Sequence, residues 1–227
     1  MNMRQDGLAA HLQALTQQLT AAQLEWWQQA QAQLAQQPSA TLAALLSGQC
    51  KRLLPAPAVE LARALVLAKA LEHTPVTEQV PLLRQLFLWG DDQEKIALLG
   101  ALDWLDSDGL CVALALQAGR TSNPQVFAAL ALDTAYPSRH YPERAFHQLV
   151  LKALGMGLDV GRVMGLTQRQ GVTLNQLALD LLDEQLAAER TVSPGLPTVI
   201  AFDLLSAAQR QRLRSLSLPP QWRAYLN

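Results

Sequence analysis

Apolar residues recur along this chain every three or four positions almost without interruption, the spacing that lines one face of an α-helix. Between residues 5 and 36, Leu8, Leu12, Leu15, Leu19, Ala22, Trp26 and Leu34 stand among glutamines, which predicts one long amphipathic helix with an adhesive face. Pro38 ends it, Ser39 can cap a short helix through Ser47, and Pro55 and Pro57 open another that carries Val59, Leu61, Leu65, Val66 and Leu71 to about residue 72. Proline suits a first turn because its missing N–H would have no partner there. The central part predicts helices over Thr77–Trp89, Asp91–Leu105, Ser107–Ala118, Asn123–Asp133 and Tyr141–Met156, joined so tightly that consecutive helices must run antiparallel. Asp91-Asp92-Gln93-Glu94 has the form of a capping box, and Asn123 can cap the helix that Pro124 opens. Beyond Gly155-Met156-Gly157 the pattern predicts a turn around Val160–Met164, a helix capped by Thr173 to about Glu189, and a loop over Thr191–Pro197. Two closing helices follow over Val199–Leu205 and Ser206–Leu216, and after Pro219-Pro220 comes a tail whose Trp222 and Tyr225 should dock.

The fold class is therefore all-α. Stacked antiparallel helical hairpins suit a HEAT-like right-handed array, and the absence of a strict internal repeat keeps an irregular helical bundle open beside it. Residues 1–37 form an N-terminal amphipathic helix serving as a cap or a homodimer contact, residues 38–190 the helical array, and residues 191–227 the closing helices and tail, all within one domain.

Composition adds exclusions. Half the residues are hydrophobic and 16% charged, so the chain must bury itself extensively and is not disordered. Eighteen Lys plus Arg against 19 Asp plus Glu leave no electrostatic footprint for a nucleic-acid partner. Cys50 and Cys111 lack metal or redox spacing and read as reduced core thiols. The polar start, Met1 to Asp6, and apolar stretches no longer than Leu110–Leu116 and Val126–Leu132 predict a cytoplasmic protein without a transmembrane segment.

Polar chemistry is concentrated between Arg120 and Lys152, around one interhelical loop: Arg120, Asn123, Asp133, Tyr136, Arg139, His140, Glu143 and His147 are the candidate site residues. In a helix opened by Tyr141-Pro142, Phe146, Leu149, Val150, Ala153 and Leu154 share the buried arc. Glu143 and His147, one turn apart inside or at the edge of that arc, can hydrogen-bond and so favour a charged imidazole. Asp133 falls on an apolar arc at a helix C-terminus, where the macrodipole disfavours a carboxylate, and calls for Arg120 or Arg139 as a partner. Such a network either locks loop geometry or binds a ligand, and both readings stand. Glu143 and His147 have a metal-compatible spacing, but only His140 lies near and no second carboxylate–histidine pair exists, so no metal is expected. Serine-nucleophile, phosphate-loop and dinucleotide motifs are absent, so no catalytic residue and no cofactor is assigned. Trp26, Trp27, Trp89 and Trp104 read as core or interface anchors.

The run Arg120-Thr121-Ser122-Asn123, then Val126-Phe127, then Tyr136-Pro137-Ser138-Arg139-His140-Tyr141-Pro142-Glu143 through Phe146-His147 to Lys152-Ala153 resembles the EboA family of metabolite traffic proteins. Leu86–Asp91 upstream and Val160–Val163 downstream fit as well, so the resemblance covers about residues 40 to 190. It implies a role in handling secondary-metabolite precursors, alongside partners encoded in the same gene cluster, and supplies no catalytic residues. Ser122 is inserted relative to the family pattern, and His147 stands where that pattern has asparagine, which argues against an acid–base role there. The reading is a non-enzymatic component that binds a small metabolite or a partner protein near Arg139–His147. An enzyme acting on a phosphorylated or cyclitol-like intermediate, with Arg120 and Arg139 holding the anion and Glu143 and His147 moving a proton, is one alternative; a purely structural interaction scaffold is the other.

Overall fold

The computed structural model describes residues 3–226, with side chains from Gly7 onward; Met1 and Asn2, and the side chains of the polar start through Asp6, lie outside the described residues. Every regular element among the described residues is helical. The chain forms two compact units, Met1–Leu130 and Ala131–Asn227.

The first unit comprises α1 (Met3–Thr16), α2 (Ala21–Gln36), α3 (Ala40–Leu53), α4 (Ala56–Glu72), α5 (Val76–Trp89), α6 (Asp92–Leu105), α7 (Val112–Ala118) and α8 (Pro124–Ala131). The segment read as one long N-terminal helix is two. Thr20 breaks it by closing a capping box, in which its hydroxyl accepts from the Gln23 amide at 3.4 Å and the Gln23 side chain accepts from the Thr20 amide at 3.0 Å. Asp91 and Glu94 close the second box as expected, at 2.9 and 3.0 Å. The helix expected from Ser107 starts later, at Val112, because buried Asp106 accepts from the amides of Leu110 (3.0 Å) and Cys111 (2.6 Å) and holds the connection as a loop.

Helix α4 packs against α1, α2, α3, α5 and α6. Its residues Ala62 to Leu67 are all buried, so it is covered around its whole circumference, where α2, α5 and α6 each keep an exposed face. Contacts between α2 and α4, α4 and α6, and α3 and α5 join helices two apart in the chain, as stacked hairpins require. His11 of α1 stacks on Trp104 of α6 with ring centroids 4.8 Å apart. Cys50 and Cys111 are free, buried thiols, and burial pushes both up to about 12.

The second unit contains α9 (Tyr136–His140), α10 (Glu143–Gly155), α11 (Leu166–Arg169), α12 (Val172–Ala187), α13 (Leu196–Val199), α14 (Ala207–Ser215) and α15 (Arg223–Leu226), with tight 3-10 turns at Val160–Arg162, Phe202–Leu204 and Pro220–Trp222. Short α9 falls in the predicted interhelical loop and the 3-10 turn at Val160–Arg162 in the predicted turn, while α11 lies just beyond that turn, where the sequence predicts no helix. The closing helix expected over Val199–Leu205 is instead the end of α13 and a 3-10 turn, because Asn175 accepts from the Ala201 amide at 2.8 Å and donates to its carbonyl at 2.9 Å, engaging the backbone groups a helix would use. Thr173 is not a cap: α12 begins at Val172 after Gly171.

The tail docks. Trp222 is 1% exposed and meets Phe202 edge-on at 6.2 Å, while Tyr225 stacks on the same ring at 5.1 Å. Trp222→Ala should cost about 3–5 kcal/mol, the usual penalty for emptying a buried tryptophan site. Denaturant unfolding checks it, and an unchanged midpoint would mean that the tail contributes nothing to the unit.

Candidate functional site

The site begins with a break in the helical run. Asp133 has φ +56°, a left-handed conformation that ends α8, and its amide donates to the Arg162 carbonyl at 3.0 Å. The Thr134 hydroxyl then accepts from the Tyr136 amide at 3.3 Å, and Pro137 occupies the first turn of α9. Extended Tyr141 and Pro142 follow, and α10 leaves with Phe146, His147, Leu149 and Val150 buried.

Arg169, which the sequence reading did not single out, holds this bend. One Nη donates to the Ser138 carbonyl at 2.8 Å and the other to the Tyr141 carbonyl at 3.0 Å. Its guanidinium also lies over the Phe146 ring, 4.8 Å from the centroid. A cation fixed on two carbonyls and a ring satisfies the C-terminal end of α9, where helical acceptors are left over. Gly165, with φ +76°, lets the preceding turn approach: a Cβ there would lie 2.5 Å from that of Ser138. A glycine four residues before an arginine is a faint sequence signal, and pairings across 31 and 28 residues leave none.

The eight candidate residues are distributed unequally. Exposed Arg120 belongs to the first unit, and so does Asn123, which caps α8 by accepting from the Gln125 amide at 2.9 Å and donates to Asp92 at 2.7 Å. Asp133, Tyr136, Arg139, His140, Glu143 and His147 belong to the second. Asp133 pairs with neither Arg120 nor Arg139. It is exposed rather than on an apolar arc, and its partner is Arg162, whose Nε donates to both carboxylate oxygens at 3.2 and 3.1 Å while an Nη reaches Oδ2. The left-handed turn at Asp133 swings the side chain out of the helical register on which the expectation rested. The hydrogen bonds from Arg162 hold its carboxyl below the usual aspartate range.

The expected hydrogen bond within α10 is also absent. His147 Nε2 and Glu143 Oε1 stand 3.9 Å apart, beyond hydrogen-bond reach, with the glutamate side chain 72% exposed and the histidine only 2%. Glu143 lies at the first turn, facing out, while His147 sits fully inside. The rings of Tyr136 and His140 pack at 4.8 Å. Three buried polar atoms close together in sequence, His140 Nε2, Tyr141 Oη and His147 Nε2, have no hydrogen-bond partner among the described residues. Burial pushes the Tyr141 phenol well above its ordinary value, so it remains protonated and able to donate. Among the described residues no three His, Cys, Asp or Glu side chains converge as a metal site would require.

A family model described as metabolite traffic protein EboA matches residues 55–201, more than half of the chain. The chain belongs to the EboA family. The match runs from the start of α4 to just before the 3-10 turn at Phe202, and so contains every candidate residue named above while leaving out α1 to α3 and the closing helices. No curated protein and no solved structure matches this EboA-family chain. No helix among its described residues is long and apolar enough to cross a membrane.

Two variants test the bend. Arg169→Ala should cost about 2–4 kcal/mol because two carbonyls lose charge-assisted bonds at once. Asp133→Asn should cost clearly less, since both members of its ion pair are more than half exposed. Because the folded carboxyl is held below its usual value, the stability from Asp133 is full above the ordinary aspartate range and fades as pH falls through the folded value. Urea titrations at neutral and acid pH, with and without salt, separate the two. A larger loss from Asp133→Asn than from Arg169→Ala would reverse their assigned importance.

Proposed function

We propose that this EboA-family chain is a non-enzymatic metabolite-handling protein that binds a small polar metabolite at the α9–α10 bend. The observation that carries the reading is the set of unpartnered buried atoms, His140 Nε2, Tyr141 Oη and His147 Nε2. A buried polar group left without a partner costs roughly 1–3 kcal/mol, and several in one short segment are a standing cost that a hydrogen-bonding ligand offsets. The description of the family as metabolite traffic proteins supports the same reading. Against the enzymatic alternative stands the Glu143–His147 arrangement, open at 3.9 Å with its carboxylate facing solvent, which lacks the paired geometry of a proton-transfer couple. The metabolite is retained by hydrogen bonds, and His147 serves as one polar contact among several rather than as an acid or base.

The full chain, purified and extracted, should release a polar small molecule detectable by mass spectrometry. Tyr141→Phe should reduce the retained amount about tenfold without loss of stability, since the hydroxyl has no protein partner to abandon. His147→Asn should keep the ligand, because an amide still offers a donor and an acceptor. Tyr141→Phe that lowers the melting temperature while leaving retention unchanged would make the bend a structural feature and defeat the proposal.

A further inference from the structure

A second feature lies in the first unit, apart from the α9–α10 bend. The stretch Ala62-Arg63-Ala64-Leu65-Val66-Leu67 places a single charged residue in the most deeply buried part of α4, and Arg63 is 4% exposed. Its Nε donates to the Ser47 carbonyl of α3 at 3.3 Å. Among the described residues its guanidinium makes no ion pair, and its two Nη groups have no protein acceptor. The nearby carboxylate, Glu94, is already engaged: Oε1 accepts from the Ser47 hydroxyl at 2.7 Å and Oε2 from the Asp91 amide at 3.0 Å. Arg63 lines a pocket, so the guanidinium donors it does not use within the protein are available to an anion there.

The space for one is there. A pocket of ≈ 120 Å³ is bounded by Arg63, Ser47 and Glu94 on its polar side and by Leu67, Leu86 and Leu98 on its apolar side, with Trp89 and Ala44 also lining it. An apolar protein cavity of about 150 Å³ takes up benzene, so this smaller volume, which must also hold the carboxylate, suits a body no larger than benzene. The fork of two Nη groups matches the two oxygens of a carboxylate. Glu94 on the same wall disfavours a more highly charged anion such as phosphate, because a like charge nearby in a low-dielectric site is repulsive.

We infer that the pocket between α3, α4, α5 and α6 is a binding site for a small monocarboxylate with a compact apolar body, held by Arg63. The carboxylate lies against the guanidinium, and the apolar body fills the space among the leucines beneath Trp89. The ligand enters as the anion and leaves as the anion; no bond is made or broken.

The test uses the full chain with benzoate and butyrate as probes, benzamide as the neutral counterpart of benzoate, and inorganic phosphate as a simple anion, measured by calorimetric titration and thermal shift. At least one carboxylate should bind saturably at one per chain, benzamide at least about tenfold more weakly, and phosphate without a saturable signal. Arg63→Met should weaken the carboxylate at least about tenfold. Ala44→Leu, which fills the pocket without touching the charge, should do the same, and it decides the matter if Arg63→Met does not fold. Tyr141→Phe should leave carboxylate binding unchanged, which keeps this site separate from the α9–α10 bend. Absence of saturable binding by both carboxylates, undiminished binding in Ala44→Leu or in folded Arg63→Met, or equal binding of phosphate would each overturn the inference.

Discussion

A helix that is buried around its full circumference cannot rest against a single neighbour, and the arrangement of the first unit follows from that requirement on α4. Five helices, α1, α2, α3, α5 and α6, supply the cover. Burying its side chains removes apolar surface from water at roughly 25 cal/mol per Å², the dominant favourable contribution to such a core. The remaining helices need only one buried face each, so their polar sides can be glutamine-rich and exposed. Helix α1 adds to this cover, packing on α4 and α6 with Leu15 fully buried.

The second unit is organised differently. Several of its helices are only a turn or two long, and helices that short are marginal by themselves because nucleation costs more than a few hydrogen bonds return. They are held by side chains that bond to backbone far away in sequence. Arg169 reaches the carbonyls of Ser138 and Tyr141, Asn175 exchanges two bonds with Ala201, and Gln170 donates to the Thr198 carbonyl at 2.9 Å. Each such bond satisfies a backbone group that a longer helix would have satisfied internally. The result is a set of bends tied by side chain to backbone, and the α9–α10 bend is one of them.

Polar groups therefore have two fates in this protein. Those at the bends that find backbone partners, such as Arg169 and Asn175, stabilise the fold. Those that do not, such as Tyr141 Oη and His147 Nε2, are costs that folding by itself does not recover. Both kinds occur at α9–α10, where Arg169 bonds the Ser138 and Tyr141 carbonyls.

Much of the fold was legible in the chain itself. Helical periodicity, the Asp91–Glu94 box, the capping Asn123 and the first-turn prolines determined an all-α protein and most of its helix positions, because each depends on residues within a turn of one another. The same local signals placed a polar cluster between Arg120 and His147 and marked Phe146 and Val150 as core. Only tertiary structure decided the rest. That Asp133 pairs with Arg162 instead of Arg120 or Arg139, that Glu143 faces out while His147 is sealed in, and that Asn175 replaces an expected closing helix with a turn all depend on groups brought together from 26 to 29 residues away or on one backbone angle. Arg63 shows the limit most clearly. Its position in an alanine- and leucine-rich run is visible in the sequence, but whether its charge meets a partner depends on Ser47 and Glu94 from two other helices. Short-range rules fix which residues can be helical, whereas the fate of a buried charge is set by which strangers in sequence the packing of helices makes its neighbours.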